Sequence, residues 1–255
     1  MKRLLFVGDV VGDSGCGLLA ERLYSIKKEH SIDITVVNGE NSAPSNGINR
    51  HSAEFLLSNG ADVITTGNHC FKWRDALDIY REGNILRPAN YPEGTIGSGV
   101  CVLDMGAYSV AVINLMGTLY LEALDNPFTV IDRLLEDIGT PNIFVDFHAE
   151  ATSEKKCLGH YLTGRVTAVL GTHTHVQTAD ELVLGGHTAY ITDVGMTGPE
   201  LSVLGVTTDI AIKKQRTHMP VKFTVSEEKP FINAVVVTFD EHLGKSEDIK
   251  RLIIR

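Results

Sequence analysis

The stretch VTAVLGTHTH, residues 166–175, joins a mostly apolar run to two histidines that stand one residue apart. A short apolar run that ends at glycine is typical of a buried strand in a parallel sheet. In such sheets, ligands bind outside the carboxyl ends of the strands. His173 and His175 therefore indicate a functional site where this strand leaves its sheet. If the segment stays extended, both rings point to the same side, because side chains alternate along a strand.

The N-terminal part of the chain alternates strand and helix patterns. In chain order, the segments are RLLFVGD (3–9, strand), residues 14–30 (helix), IDITVVNGEN (32–41, strand), HSAEFLLSNG (51–60, helix ended by glycine), ADVITTGNH (61–69, strand) and RDALDIY (74–80, helical). The helical segments carry apolar residues at a spacing of three to four, and the strand segments are nearly continuous apolar runs. This order implies parallel pairing with right-handed crossovers.

The middle and the C-terminal part change character. GVCVLDMG (99–106) and YSVAVINLMG (108–117) predict two strands joined by a tight turn at Met105 to Tyr108. Further predicted elements are a helix at 128–138, a buried strand in NIFVDFHAE (142–150), short strands after 166 and mostly strand over 220–254. The chain is thus predicted to be one layered α/β domain, residues 1–255, with two sheets, some of whose strands are antiparallel.

Charge and composition narrow the classes of partner. The formal net charge is −9, from 32 acidic and 23 basic residues, which argues against duplex nucleic acid as a partner. It leaves room for a small anionic ligand, because bound cations dominate their local field. The four cysteines form no C-x-x-C pair, Asp9 interrupts the first apolar run early, and no run approaches the ~18 residues of a membrane span. We therefore expect a cytoplasmic protein with reduced thiols and no membrane partner.

Polar residues follow five apolar runs directly, and all of them are good ligands or acid–base groups. The seven ligand candidates are Asp9, Glu40, Asn41, Asn68, His148, His173 and His175. Taken singly, Asp9 also suits a helix cap and the asparagines suit turns. Carboxylate, amide and imidazole groups without thiolate favour Mn, Fe, Zn, Ni or Co. Seven candidates are more than the ligands that one tetrahedral ion needs. Two ions about 3.5–4 Å apart are the usual arrangement for displacement at phosphorus.

Five motifs in this order resemble those of calcineurin-like metallophosphoesterases. They are GDVVG (8–12), NGEN (38–41), GNH (67–69), FHAE (147–150) and GTHTH (171–175). Two longer stretches, DFHAEATSEK (146–155) and TAYITDVGMTGP (188–199), resemble the YmdB-like branch, bacterial phosphodiesterases that act on cyclic nucleotides. The similarity covers essentially the whole chain, and it implies a four-layer α/β/β/α sandwich with two mixed sheets.

The resemblance also implies an enzyme, a metal-dependent phosphoric diester hydrolase with two divalent or trivalent ions of iron, manganese or zinc. Asp9, Glu40, Asn41 and His175 would hold one ion, and Glu40, Asn68, His148 and His173 the other, with Glu40 as the bridge. A hydroxide shared by the ions would attack a 2′,3′- or 3′,5′-cyclic nucleotide, and His69 would act as general acid. A homo-oligomer is implied as well.

The chain departs from the commoner superfamily pattern at three motifs. Val11 stands where a histidine is usual, and Glu40 replaces a bridging aspartate, with Asn41 beside it as a substitute ligand; the YmdB-like branch shares both changes. The third motif continues with Cys70 instead of an acid, which leaves the orientation of His69 unexplained.

Other interpretations remain open from the sequence. A nucleotide-binding regulator with little or no catalysis would keep the same metal site. Amidohydrolases also use H-x-H, but on their first strand, and the metallo-β-lactamase pattern fails at Gln177 and Thr178. Further candidates are Asp146, Glu150 and Asp193 as partners that orient an imidazole, and Lys72 and Arg74 as phosphate contacts.

Overall fold

The computed structural model describes residues 1–255, apart from the side chain of Asp75. Its strands are β1 (Lys2–Val7), β2 (Asp9–Val10), β3 (Ile34–Asn38), β4 (Val63–Thr65), β5 (Val100–Asp104), β6 (Ser109–Met116), β7 (Ile143–His148), β8 (Ala168–Thr172), β9 (Leu182–Leu184), β10 (Thr188–Ile191), β11 (Met196–Pro199), β12 (Pro230–Asp240) and β13 (Lys245–Ile254). Its helices are α1 (Gly12–His30), α2 (Arg50–Ser58), a 3₁₀ helix (Arg74–Arg81), α3 (Pro127–Asp137), α4 (Thr152–Tyr161) and α5 (Thr208–Thr217). No helix in the described part of the chain has the length and apolar character to cross a bilayer.

The strands form two mixed sheets, as the sequence predicts. The first sheet has the order β2-β11-β12-β1-β3-β4, with β13 paired to β12, and the second has the order β5-β6-β7-β8-β10-β9. Parallel pairing joins β1, β3 and β4 in the first sheet and β6, β7, β8 and β10 in the second. The carboxyl ends of each parallel set therefore open at one edge of its sheet, where ligands bind in such folds.

Three apolar layers hold these sheets between helices. Along β1, Leu5 and Val7 face α1 and α2, whereas Leu4 and Phe6 face the second sheet. Both faces are buried, which explains why the run is continuously apolar. Between the sheets, the rings of Phe144 and Phe239 meet edge to face at 5.1 Å. The third layer packs α3 and α4 against the second sheet, so the four-layer α/β/β/α arrangement is confirmed.

Several local predictions are confirmed and a few are wrong. The β5–β6 turn closes with a 2.9 Å hydrogen bond from the Met105 amide to the Tyr108 carbonyl. The helical prediction for 74–80 is confirmed as a 3₁₀ helix, and the prediction of mostly strand over 220–254 is confirmed by β12 and β13, although residues 220–229 form no named strand. The sequence patterns missed α4 and α5. In α5 only Ala211 is buried, and α4 buries Glu154 and Lys155, so neither helix shows a plain apolar stripe.

A close backbone approach brings the start of β2 beside the segment that follows β10. The Asp9 amide donates to the Gly195 carbonyl at 3.0 Å, and the Gly8 amide donates to the Asn233 carbonyl at 3.0 Å. A Cβ on Gly8 would lie 2.1 Å from the Gly195 carbonyl oxygen, so only glycine allows this contact. Asp9 is thereby fixed at the junction of the two sheets.

A buried ion pair ties α4 to the same segment. Lys155 Nζ lies 2.7 Å from Asp193 Oδ2, and the two side chains are 1% and 0% exposed. The other Asp193 oxygen accepts a 2.8 Å hydrogen bond from the Gly195 amide. Both charges are desolvated, so removing one partner would leave the other uncompensated in the interior.

We predict that Lys155→Met lowers the free energy of unfolding by roughly 3–5 kcal/mol, because it leaves the buried Asp193 carboxylate without its cationic partner. The control is Lys156→Met, which removes the exposed pair with Asp180 on the same helix and should cost no more than about 1 kcal/mol. Urea unfolding at neutral pH measures both. Equal losses in the two variants would contradict the structural importance of the buried pair.

Candidate metal centre

The ends of strands from both sheets converge on one cluster of polar side chains. Its members come from five places in the chain, and all seven ligand candidates and His69 lie within it. Asp9 begins β2, Glu40 and Asn41 follow β3, Asn68 and His69 follow β4, His148 ends β7, and His173 and His175 follow β8. The predicted convergence is therefore observed, although ligand roles for these residues remain proposals.

Glu40 is the centre of this cluster. Its side chain is 1% exposed, and its Oε1 lies 3.2 Å from His148 Nε2 and 3.1 Å from His69 Nδ1. The same oxygen accepts a 3.1 Å hydrogen bond from Asn41 Nδ2. One buried carboxylate thus contacts its neighbour Asn41 and residues from two other strand ends.

The first group of donor residues beside Glu40 is in contact with His148. Its Nε2 lies 3.1 Å from Asn68 Oδ1 and 3.0 Å from His173 Nδ1. The imidazole rings of His148 and His173 meet edge to face, with centroids 4.8 Å apart. Candidate ligand atoms of Glu40, His148 and His173 all lie within 4.8 Å of one another, which is close enough for one ion to contact all three.

Asp9, Asn41 and His175 form the second group. Asn41 Nδ2 lies 3.2 Å from His175 Nε2, and Asp9 Oδ1 lies 3.8 Å from the same nitrogen. His175 Nδ1 is 3.0 Å from the Leu204 carbonyl oxygen, which can only accept a hydrogen bond. The ring proton therefore sits on Nδ1, and the Nε2 lone pair faces the cluster.

The backbone of the two paired histidines differs from the expected extended form. Strand β8 ends at Thr172, and His173 and His175 have φ angles of 99° and 64°. The segment therefore does not stay extended, and side-chain alternation is not what brings both rings to one side. A tight left-handed turn does so instead, and the Thr174 amide donates to Asp193 Oδ2 at 3.0 Å to hold it.

A chain of buried hydrogen bonds, on the side of the ring away from Glu40, orients His148. Its Nδ1 lies 2.9 Å from Thr172 Oγ1, and that hydroxyl donates to Asp146 Oδ1 at 2.7 Å. Asn38 Nδ2 donates to the other Asp146 oxygen at 3.0 Å. Because Thr172 gives its proton to Asp146, its lone pair accepts the His148 Nδ1–H, which turns Nε2 toward Glu40.

Both acids that flank His148 in sequence therefore support the site, Asp146 indirectly and Glu150 by direct contact. Asp146 acts through Thr172, and Glu150 Oε2 lies 3.0 Å from His173 Nε2 at a half-exposed position. Sequence reasoning missed Thr172, since a threonine inside a strand gives no signal of its own. Asp9 does not cap a helix, because α1 begins after Val11 without a side-chain cap.

The electrostatics reflect the burial of two carboxylates beside imidazoles. Burial raises the pKa of Asp9. Burial alone would raise the pKa of Glu40 too, but His148 and His69 outweigh it and hold this pKa well below the usual range. Burial opposes a charged His148, yet Glu40, Asp9 and Asp146 raise its pKa to about 9. Burial and the neighbouring His148 lower the pKa of His173 to about 3.

The residues present fit metal ions. Asp9 Oδ1 is buried and has no hydrogen-bond partner among the described atoms, as expected for an oxygen kept for a cation. Gly67 leaves the space open, because a Cβ there would lie 2.1 Å from His148 Cδ2 and 2.4 Å from Glu40 Oε2. The donors are carboxylate, amide and imidazole, which suit first-row transition metals.

His69 lies at the open edge of the cluster, where its side chain is 32% exposed. Its Nδ1 faces Glu40 Oε1, and its Nε2 lies 3.3 Å from the amide nitrogens of Asn68 and Asn46. Glu40 thus orients this ring, in place of the acid that is usual at position 70. Cys70 points into the apolar layer beneath and is 2% exposed.

Comparison with known proteins agrees with this geometry. The family model described as YmdB-like protein matches residues 5–252. The chain is 45% identical to the 2′,3′-cyclic-nucleotide 2′-phosphodiesterase of Bacillus subtilis (strain 168), over 99% of this chain and 97% of that protein.

Two solved structures are also similar over nearly the whole chain. A phosphatase of Mycoplasma pneumoniae has a TM-score of 0.95 at 32% identity, covering 99% of this chain and 93% of its own. A protein of Thermus thermophilus has a TM-score of 0.93 at 37% identity, covering 98% of both chains. The enzyme class expected from the sequence, a metal-dependent phosphodiesterase, is confirmed, and the chain belongs to the YmdB-like protein family.

Proposed function

We propose that this protein hydrolyses the phosphodiester of cyclic nucleotides with two metal ions held between its sheets. The observation that carries the proposal is the buried Glu40 carboxylate, which lies between two separate groups of oxygen and nitrogen donors. A single structural carboxylate has no need of six such neighbours, whereas a carboxylate shared by two cations would have.

In the proposed assignment, Glu40 would contribute to both ion sites. Asp9, Asn41 and His175 complete one set, and Asn68, His148 and His173 complete the other. The contacts support this division, because each set is internally in contact and the two sets meet at Glu40 and at Asp9, whose Oδ2 accepts a 3.2 Å hydrogen bond from the His173 amide. Asn41 turns its amide nitrogen inward, so coordination needs that amide rotated to present its oxygen. When bound, such ions polarise water and phosphoryl oxygens as Lewis acids.

The chain supplies the remaining groups. The carboxylate of Glu40 only accepts, so His69 Nδ1–H donates to it. To act as an acid, the ring must also carry a proton on Nε2, the nitrogen at the open edge. We assign His69 the role of general acid, which protonates the leaving ribose oxygen as the phosphorus–oxygen bond breaks. A positioned acid of this kind contributes about 10²–10⁴ in rate. Asp146, through Thr172, keeps His148 in the tautomer that ligation requires.

The name of the Bacillus subtilis relative describes cleavage at the 2′ position of 2′,3′-cyclic nucleotides. By this likeness we propose 2′,3′-cyclic nucleotides as the first substrates to test and 3′,5′-cyclic nucleotides as the second. In the 2′,3′ case, a water that has lost one proton to solvent bonds through its oxygen to phosphorus, the bond to O2′ breaks, and His69 gives its Nε2 proton to O2′. The product is then a 3′-nucleotide.

The proposal is tested with protein loaded with Mn²⁺ and incubated with 2′,3′- and 3′,5′-cyclic AMP. We expect conversion of the 2′,3′ substrate to 3′-AMP, measured by liquid chromatography and abolished by a chelator. A protein that binds two equivalents of metal but turns over neither nucleotide would refute the substrate assignment. Binding of a cyclic nucleotide without its turnover would favour a nucleotide-binding regulator.

His148→Ala should lower the bound metal by at least one of the two expected equivalents, because this imidazole contacts Glu40, Asn68 and His173. Elemental analysis by mass spectrometry measures metal per protein. The matched control is His160→Ala, an exposed histidine on α4, which should retain wild-type metal content. Full occupancy in His148→Ala would rule out its role as a ligand.

His69→Ala should keep both metals and lose about 10²–10⁴ of kcat on a cyclic nucleotide, as expected when a general acid is removed. The loss should be much smaller on bis-p-nitrophenyl phosphate, since nitrophenolate leaves without protonation. Steady-state kinetics on both substrates and elemental analysis test this. An equal loss on both substrates would show that His69 has a different function.

A further inference from the structure

The loop that follows the second motif reaches the proposed general acid. In this loop, residues 44–47, Asn46 places its Nδ2 3.3 Å from His69 Nε2. The side chain of Asn46 is partly exposed, so it lies at the open edge of the cluster and not beneath it. Nothing in the metal assignment uses this amide.

The backbone of the loop is held in an unusual conformation. Ser45, Asn46 and Gly47 have φ angles of 64°, 64° and 77°, all in the left-handed region that side chains other than glycine disfavour. Trp73 Nε1 donates to the Asn46 carbonyl at 2.9 Å, and the Ala43 amide donates to the Gly47 carbonyl at 2.9 Å. Such strain persists only where the surroundings impose it, and it concentrates at ligand sites.

Lys72 fixes the direction of the Asn46 amide. Its ammonium donates to Asn46 Oδ1 and, at 2.7 Å, to the Ser45 carbonyl. An ammonium group has no acceptor, so the amide oxygen must face Lys72 and the NH₂ group must face the site. The carboxylates of Glu40 and Asp9 present only acceptors. Asn46 thus supplies a neutral donor that is oriented in advance at the edge where His69 lies.

We propose that Asn46 is a substrate-binding residue whose NH₂ group donates to a non-bridging phosphate oxygen beside His69, and that Lys72 positions it. The inference rests on the proposed phosphodiesterase function and names a contact on the same substrate. A donor oriented before binding stabilises negative charge on a phosphoryl group without reorganisation. Lys72 uses two of its three N–H donors on this loop, which holds the Asn46 amide in this direction.

The first experiment compares Asn46→Asp, a near-isosteric change from donor to acceptor, with Asn59→Asp on the Mn²⁺-loaded protein. Asn59 lies at the end of α2, where its amide donates to the Phe55 carbonyl at 2.8 Å. We expect Asn46→Asp to lower kcat/KM on 2′,3′-cyclic AMP roughly 10- to 100-fold, the usual value of a hydrogen bond to a charged group. Metal content should stay at the wild-type value, and Asn59→Asp should match wild type. Unchanged kcat/KM in Asn46→Asp overturns the inference.

A second measurement separates this inference from the proposed function. Calorimetry with inorganic phosphate reports anion binding without any turnover. Weaker phosphate binding by Asn46→Asp, with wild-type metal content, supports the contact even if the cyclic nucleotide proves to be a poor substrate. Equal affinity in the two proteins overturns it. For Lys72, loss of phosphate affinity in Lys72→Met and its recovery in Lys72→Arg support positioning, and no loss in Lys72→Met rules that out.

Discussion

The burial of two carboxylates where the sheets meet is the constraint on which the site depends. Glu40 and Asp9 are 1% and 0% exposed, and removing such groups from water costs several kcal/mol each. Imidazoles compensate Glu40, but one oxygen of Asp9 has no hydrogen-bond partner among the described atoms. Cations between the strand ends would offset both charges at once. Metal binding and the stability of this edge are therefore expected to be linked, since any ligand that prefers the folded state stabilises it.

The sandwich makes this edge possible because both sheets bring donors, four of the ligand candidates at strand ends of the first sheet and three at strand ends of the second. The apolar layer between the sheets, with Phe6, Phe144 and Phe239, sets their separation, and the polar residues begin where that layer ends. Glycines then permit approaches that a side chain would block. Gly8 allows the contact with Gly195 beside Asp9, and Gly67 leaves room for Glu40 and His148. The apolar layer between the sheets and the two glycines at the site thus place donors from distant segments within hydrogen-bonding distance.

Sequence reasoning found the cluster because each donor stands directly after an apolar run, and the ends of parallel strands meet. It also found the two sheets and the β5–β6 hairpin, since alternation and turn chemistry are local signals. It missed Thr172 and Asn46, whose partners His148 and His69 lie 24 and 23 residues away. It misjudged the backbone of His173 and His175, because a left-handed histidine is imposed by tertiary contacts. Helices α4 and α5 were not predicted because neither carries a plain apolar stripe.

Val11 shows how the fold manages without the imidazole that is usual in this motif. Its backbone forms a parallel bridge with Asn41, which holds the Asn41 side chain beside His175. Its own side chain is 6% exposed and fills the space above two glycines. A Cβ on Gly198 or Gly205 would lie 2.9 or 2.8 Å from it. The Gly205 loop carries the Leu204 carbonyl that fixes His175 Nδ1. Val11 thus supports two neighbouring donors through packing, and an imidazole in its place would have to displace the loop that orients His175.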